Sequence, residues 1–141
     1  MGKIIIFGLN NGIDGAVTLS GAKNSALKVL TASVLAEEEV VLDNIPLDIR
    51  DVRVTLQMLK AIGACVTEDR PGRVRIDWPA VGPQSDVPGE FGSIRTNLLF
   101  LGALLARTGR ASVPLPGGDQ IGERKHDLHL MAIRKLGAVC T

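Results

Sequence analysis

Apolar residues along this chain recur at two alternating periods, one suited to strands and one to helices. Residues 3–7 (KIIIF) and 15–19 (GAVTL) are short β-prone runs separated by the turn-rich GLNNGID, and they predict two strands. In residues 22–36, Ala26, Leu27, Leu30 and Val34 fall at helical spacing, which predicts a helix with Ser20 placed to cap it. Residues 39–43 (EVVLD) predict a strand and 44–46 (NIP) a turn. A second helix is predicted over about 50–62, with Val54, Met58 and Ile62 on one face and Gly63 at the position of a C-terminal cap. Residues 64–67 and 73–77 then predict a hairpin.

The Pro- and Gly-rich stretch 78–90 (WPAVGPQSDVPGE) has no period and reads as a functional loop or a crossover. After it the pattern restarts, with a helix over about 94–107, a strand at 110–115, a helix over about 126–136 and a strand at 138–141. The restart is a repeat. Leu35-Ala36 matches Leu105-Ala106 and Ile45-Pro46 matches Leu115-Pro116, both at an offset of 70, while Ile62-Gly63-Ala64 matches Leu136-Gly137-Ala138 at 74. The chain therefore reads as a duplicated α/β module. The four additional residues fall between the Pro and Gly anchors, in or beside PGGDQIGERKHDLH (residues 116–129). The equivalent loop in the first unit, NIPLDIR (44–50), has no glycine pair.

Composition narrows the possible chemistry. The chain has 141 residues, 45% apolar and 22% charged, and a net charge of +1. This fits a globular domain with no bulk field for nucleic acid or a membrane surface. Aromatics are 3% with no Tyr, so a base-stacking platform is not expected. The start MGKIIIFG does not read as a signal peptide and no apolar run of about 18 residues exists, so a cytoplasmic protein is expected. Cys65 and Cys140 lie in apolar contexts and read as small buried hydrophobes, with no zinc-like spacing.

Two stretches are candidates for chemistry. In residues 116–129, paired glycines let backbone N–H groups approach a ligand, and Arg124, Lys125 and His126 precede a helix start that favours anions. Asp119 is the acid inside the glycine-rich part and the candidate for proton transfer. The same residues also read as a tight turn followed by a solvated helix N-terminus. In LSGAKN (19–24), Lys23 enters the first turn of an apolar helix, where the dipole repels it. An anionic ligand would explain this, as would a frayed, solvated turn. Arg95 falls at nearly the equivalent place in the second unit. Lys23, Arg95 and Arg124 would together suit a phosphorylated substrate. His129, one turn into its helix, would touch the same anion or face solvent. Neither GxGxxG nor GxxxxGK[ST] occurs.

LSGAKN, LAEE (35–38), the Ile62-Gly63-Ala64 anchor, LGALLAR (101–107) and residues 116–129 together resemble the N-terminal third of the UDP-N-acetylglucosamine 1-carboxyvinyltransferases, a branch of the enolpyruvyl transferases. The similarity runs from about residue 15 to the end. It implies a truncated inside-out α/β barrel domain of repeated βαβαββ units, with substrates bound in a cleft between two domains. Residues 15–141 would be part of one domain (units about 15–78 and 91–141), and residues 1–14 would supply a strand to the second. The implied reaction moves the enolpyruvyl group of phosphoenolpyruvate to the 3′-hydroxyl of UDP-N-acetylglucosamine, with no metal or organic cofactor.

Carried over by motif, Lys23, Asn24, Arg95 and Arg124 would hold phosphoenolpyruvate. The run Arg124, Lys125, His126, Asp127 and Leu128 would hold the uridine nucleotide, and Asp119 would protonate the methylene carbon. Most members carry at that position a cysteine that the epoxide fosfomycin alkylates, so an aspartate implies insensitivity. Leu99 stands where the family has Trp, Lys125-His126 where it has Pro-Val, and Glu123 where it has a small residue. Family members are about three times this length, so the 141 residues alone are expected to be inactive, lacking the C-terminal domain. Two rivals stand beside this reading: a paralogous enolpyruvyl transferase with another acceptor, and a non-catalytic α/β module that binds a phosphorylated ligand.

Overall fold

A computed structural model describes residues 3–8, 12, 14–115 and 126–141 of the chain. The first unit forms helix α1 (Lys23–Ala32) with a 3₁₀ turn (Ser33–Leu35), strand β1 (Val40–Leu42), helix α2 (Arg50–Ala61) and strands β2 (Cys65–Arg70) and β3 (Arg73–Asp77). The second unit follows with a 3₁₀ turn (Gly89–Ser93), helix α3 (Asn97–Thr108) and helix α4 (Asp127–Lys135).

The strands form one antiparallel sheet in the order β1-β3-β2, with Val40 opposite Ile76 and Val66 opposite the same residue on the other side. The central strand β3 alternates, burying Val74 and Ile76 completely and turning Arg73, Arg75 and Asp77 outward. Ion pairs knit the outer face, where Arg75 bridges Glu39 at 2.7 Å and Asp69 at 2.9 Å.

Helices α1, α2 and α3 share one apolar core with the inner face of the sheet. Helix α1 buries Ala26, Leu27, Leu30 and Thr31, the spacing expected from the sequence. Its buried hydroxyls are satisfied locally, Thr31 Oγ donating to Leu27 O at 2.8 Å and Ser33 Oγ to Leu30 O at 2.6 Å. Helix α2 buries Val52, Thr55, Leu56, Met58 and Leu59, a wider face than the predicted Val54, Met58 and Ile62, and Val54 is only half-buried. Helix α3 contributes Phe100 and Leu104, both fully buried.

Residues 78–90 are a pinned crossover. Trp78 Nε1 donates to Ser33 O at 2.9 Å, Gln84 N to Ile62 O at 2.8 Å, and Val87 N to Ser112 O at 2.9 Å.

The repeat anchors at Gly63 and Gly137 have the same geometry. Both glycines take positive φ, 107° and 99°. Gly63 N bonds Lys60 O and Ala64 N bonds Leu59 O, while Gly137 N bonds Arg134 O and Ala138 N bonds Ile133 O. This is the Schellman arrangement, which closes a helix on its own orphan carbonyls and needs the left-handed residue that glycine supplies.

Several expectations are corrected. Residues 3–7 and 15–19 are not strands; they have no pairing partner among the described residues, and Ile4, Phe7 and Val17 are over 80% exposed. Ser20 does not cap α1, whose N-cap is Ala22, two residues later. Residues 110–115 make a single parallel bridge, Ser112 to Asp86, and 138–141 make no strand. In the first unit β3 holds β1 and β2 together, and among the described residues of the second unit no strand takes that central place. Cys65 is exposed and Cys140 half-buried, because β2 is an edge strand that turns Cys65 outward and Val66 toward the core.

Candidate functional site

The starts of α1, α3 and α4 meet around one cavity of about 410 Å³. Helix α1 contributes Asn24, Leu27 and Lys28, the α3 approach contributes Arg95, Thr96, Leu98 and Leu99, and α4 contributes His126, Leu128 and His129. Among the described residues its charged and titratable lining is cationic or cation-capable, Lys28, Arg95, His126 and His129, with no Asp or Glu. The leucines form the apolar wall. A second cavity of about 710 Å³ lies between α3 and α4, lined by Leu101, Leu105, Leu130, Ile133 and the segments 109–115 and 137–141. His126 and Leu98 border both cavities.

The start of α1 is held by the NIP turn. Gly21 N donates to Asn44 Oδ1 at 3.1 Å, and Asn44 sits at φ 58°, a left-handed conformation that Asn tolerates. Lys23 Nζ meets Asp51 Oδ2 at 3.0 Å, with side-chain exposures of 45% and 32%. Asp51 lies in the first turn of α2, where the helix dipole favours a carboxylate. The charge mismatch of Lys23 thus has a partner within the chain. Lys23 does not line the cavity, whereas Asn24 beside it does.

Arg95 lies two residues ahead of the first residue of α3, whereas Lys23 is the first residue of α1, so their equivalence is offset. Between Arg95 and the core, Asn97 is fully buried, with Nδ2 donating to Pro114 O at 3.3 Å. Its Oδ1 has no hydrogen-bond partner among the described residues. The Asn97–Pro114 bond ties the start of α3 to the chain entering the glycine-rich segment.

Of the residues expected at the site, the fold brings Asn24, Arg95, His126 and Leu128 to one cavity. Asp127 opens α4 and is exposed. Asp119, Arg124 and Lys125 lie outside the described residues. Lys28, Asn44 and Asp51 were not anticipated. Lys28 carried a legible signal, since it stands four residues after Asn24 on one helical face. Among the described residues no cluster of three His, Cys, Asp or Glu is arranged to hold a metal, and no helix is long and apolar enough to cross a membrane.

Comparisons with known proteins agree on one relationship. Residues 9–141 match the family described as EPSP synthase (3-phosphoshikimate 1-carboxyvinyltransferase). The whole chain is 40% identical to a UDP-N-acetylglucosamine 1-carboxyvinyltransferase of Vibrio parahaemolyticus, covering 33% of that relative. It is 43% identical over 139 residues to the protein of the same name from Methylacidiphilum infernorum, covering 32% of it. The chain thus spans about a third of the length of these curated relatives. The crystal structure of the enolpyruvyl transferase NikO from Streptomyces tendae superimposes with a TM-score of 0.58 at 30% identity, over 68% of this chain and 22% of that one.

Proposed function

The chain belongs to the EPSP synthase family, and on that premise we propose that it is the N-terminal part of a UDP-N-acetylglucosamine 1-carboxyvinyltransferase. The whole protein transfers the enolpyruvyl group of phosphoenolpyruvate to the 3′-hydroxyl of UDP-N-acetylglucosamine in the cytoplasm, the first committed step of peptidoglycan synthesis. Support comes from the relatives' names and from one structural observation: three helix starts gather Asn24, Arg95 and His126 in a cavity whose lining, among the described residues, holds no Asp or Glu. Such a lining favours a phosphate- or carboxylate-bearing ligand, and the leucine wall shields it from water.

In this reading Arg95 and Arg124 hold the anionic groups of phosphoenolpyruvate, with Lys23 and Asn24 at the same end of α1. Lys125, His126, Asp127 and Leu128 contact the nucleotide. Asp119 gives its proton to the methylene carbon as the sugar 3′-oxygen, its hydroxyl proton passing to a base of the second domain, bonds the adjacent carbon, yielding a tetrahedral ketal phosphate. Loss of a proton from the new methyl group and departure of phosphate then restore the double bond. These residues form one wall of the cleft, so the 141 residues alone turn over poorly. Residues 1–14 serve the second domain.

The test measures phosphate release by the whole protein from phosphoenolpyruvate with UDP-N-acetylglucosamine and, separately, with shikimate 3-phosphate. Release with the first acceptor alone is expected. Release with shikimate 3-phosphate alone would transfer the assignment to another acceptor branch, a reading favoured by Leu99 and His126 in the cavity lining.

A further inference from the structure

The cavity at the helix starts holds one cation that neither the sequence motifs nor the proposed function accounts for. Lys28 lies on α1 one turn after Asn24, and both line the cavity with Arg95, His126 and His129. The ion pairs among the described residues engage Lys23, Arg53, Arg70, Arg73, Arg75, Arg107 and Arg110, and Lys28 is in none of them. Leu27 and Leu98 line the same cavity and give it an apolar floor, while Lys28 itself is exposed. Like charges gathered over an apolar floor repel one another more than they would in bulk water. A ligand anion relieves that repulsion for every member at once. A lysine serving only solubility would gain nothing from such company.

We propose that Lys28 is a substrate-contacting residue of this cavity, holding the phosphate or carboxylate group of the ligand from the α1 side while Arg95 holds it from the α3 side. The proposal rests on the functional reading above and extends it to a residue outside the family motifs. Its consequence is selective: Lys28 strengthens binding of phosphate-bearing molecules and leaves uncharged ones untouched.

The experiment titrates the 141-residue chain with phosphoenolpyruvate, inorganic phosphate and uridine. It follows the Asn24 side-chain amide and the His126 and His129 ring signals by NMR, for wild type, Lys28→Met, Lys28→Arg and the α2 control Lys60→Met. Removing one charge-assisted contact is expected to weaken phosphoenolpyruvate and phosphate binding about 10-fold. Lys28→Arg should stay within about 3-fold of wild type, since the charge is kept. Lys60→Met should match wild type, with uridine binding and melting temperature unchanged throughout. Unchanged anion affinity in Lys28→Met makes the residue a solvated surface lysine and overturns the proposal, as does the absence of anion-induced shifts in wild type. If Lys28→Met loses anion affinity while the whole protein fails to turn over UDP-N-acetylglucosamine, the acceptor assignment falls and the role of Lys28 stands. If the whole protein turns over and Lys28→Met leaves both its KM for phosphoenolpyruvate and the anion titration unchanged, the role of Lys28 falls and the acceptor assignment stands.

Discussion

Gly21, in the LSGAKN segment, is glycine because the NIP turn occupies the space a side chain would need. A Cβ built there would collide with Asn44 O, and would lie 3.1 Å from Asn44 C and 3.2 Å from the Pro46 ring. Carbon contacts settle near 3.5–4.0 Å, so Gly21→Ala requires the turn to retreat by about an ångström or more. That retreat breaks the 3.1 Å bond from Gly21 N to Asn44 Oδ1 and disturbs Ile45 N, which donates to Gly72 O at 2.8 Å. Overpacking a fitted site costs about 1–3 kcal/mol and one lost hydrogen bond about 1 kcal/mol. Together they predict a loss of about 2–4 kcal/mol, or about 10 °C in melting temperature for a chain of this size. The control is Gly102→Ala in α3, where a Cβ meets nothing within 4 Å and glycine only weakens the helix. That variant should gain about 0.5–1 kcal/mol. The measurement is urea unfolding of the two variants and wild type. A Gly21→Ala protein within about 0.5 kcal/mol of wild type would show that the close approach to Asn44 does not hold the start of α1.

Other consequences are checked more briefly. Asn97 is fully buried with its Oδ1 unpartnered among the described residues, so Asn97→Asp places an unpaired carboxylate in the core and should cost about 3 kcal/mol or more at neutral pH. Burial raises the folded-state pKa of that new carboxylate, so the loss should fade as pH falls through the raised folded value and be gone below the ordinary carboxylate range; a pH-independent loss would refute the cause. The Ser85 hydroxyl, 2.7 Å away, and the Arg110 guanidinium, at 3.4 Å, hold the Asp86 carboxyl below its ordinary 3.8. A depressed folded pKa contributes stability above the unfolded value that is lost as pH falls through the folded one. Asp86→Asn should therefore flatten the acid limb of the stability profile below about pH 4 and leave the curve above about pH 6 parallel to wild type. In the whole protein, fosfomycin should leave Asp119 unmodified by mass spectrometry, and Asp119→Cys should become labelled.

Much of the fold is legible in the sequence wherever local chemistry alone decides the outcome. Glycines 63 and 137 close their helices because left-handed geometry is intrinsic to the residue, and the burial of Leu27 and Leu30 follows from spacing. Expectation fails where the outcome depends on a distant partner. Residues 3–7 and 15–19 have strand-forming side chains, but a strand exists only against another strand. Cys65 is apolar by neighbourhood and exposed by its place on an edge strand. The charge of Lys23 suggests a ligand, while its carboxylate partner Asp51 lies 28 residues away, a contact no motif reveals. Lys28 is legible only in part: its spacing puts it on the helical face of Asn24, but a lysine in mid-helix reads as surface until α3 and α4 are seen to wall in the same space.

The duplication also explains why the site carries positive potential at all. Helices α1 and α3 occupy corresponding places in the two units, and they lie parallel. Their N-terminal ends share the smaller cavity, and at the other end Arg107 in the last turn of α3 reaches Glu37, beyond the end of α1, at 3.3 Å, a pair separated by 70 positions, the repeat offset itself. Parallel neighbouring helices set their dipoles side by side, which is unfavourable, and the start of α4 adds a third positive end to the same cavity. A fold that only needed to pack could have opposed these dipoles. Tandem repetition forecloses that option, because equivalent helices in successive units enter the layer from the same side. The residual positive field is therefore a consequence of the architecture, and the side chains of Lys28, Arg95, His126 and His129 sharpen it without creating it. It follows that removing the charge of Lys28 or of Arg95 alone should weaken an anion without abolishing its binding, since the other cation and the three helix starts remain.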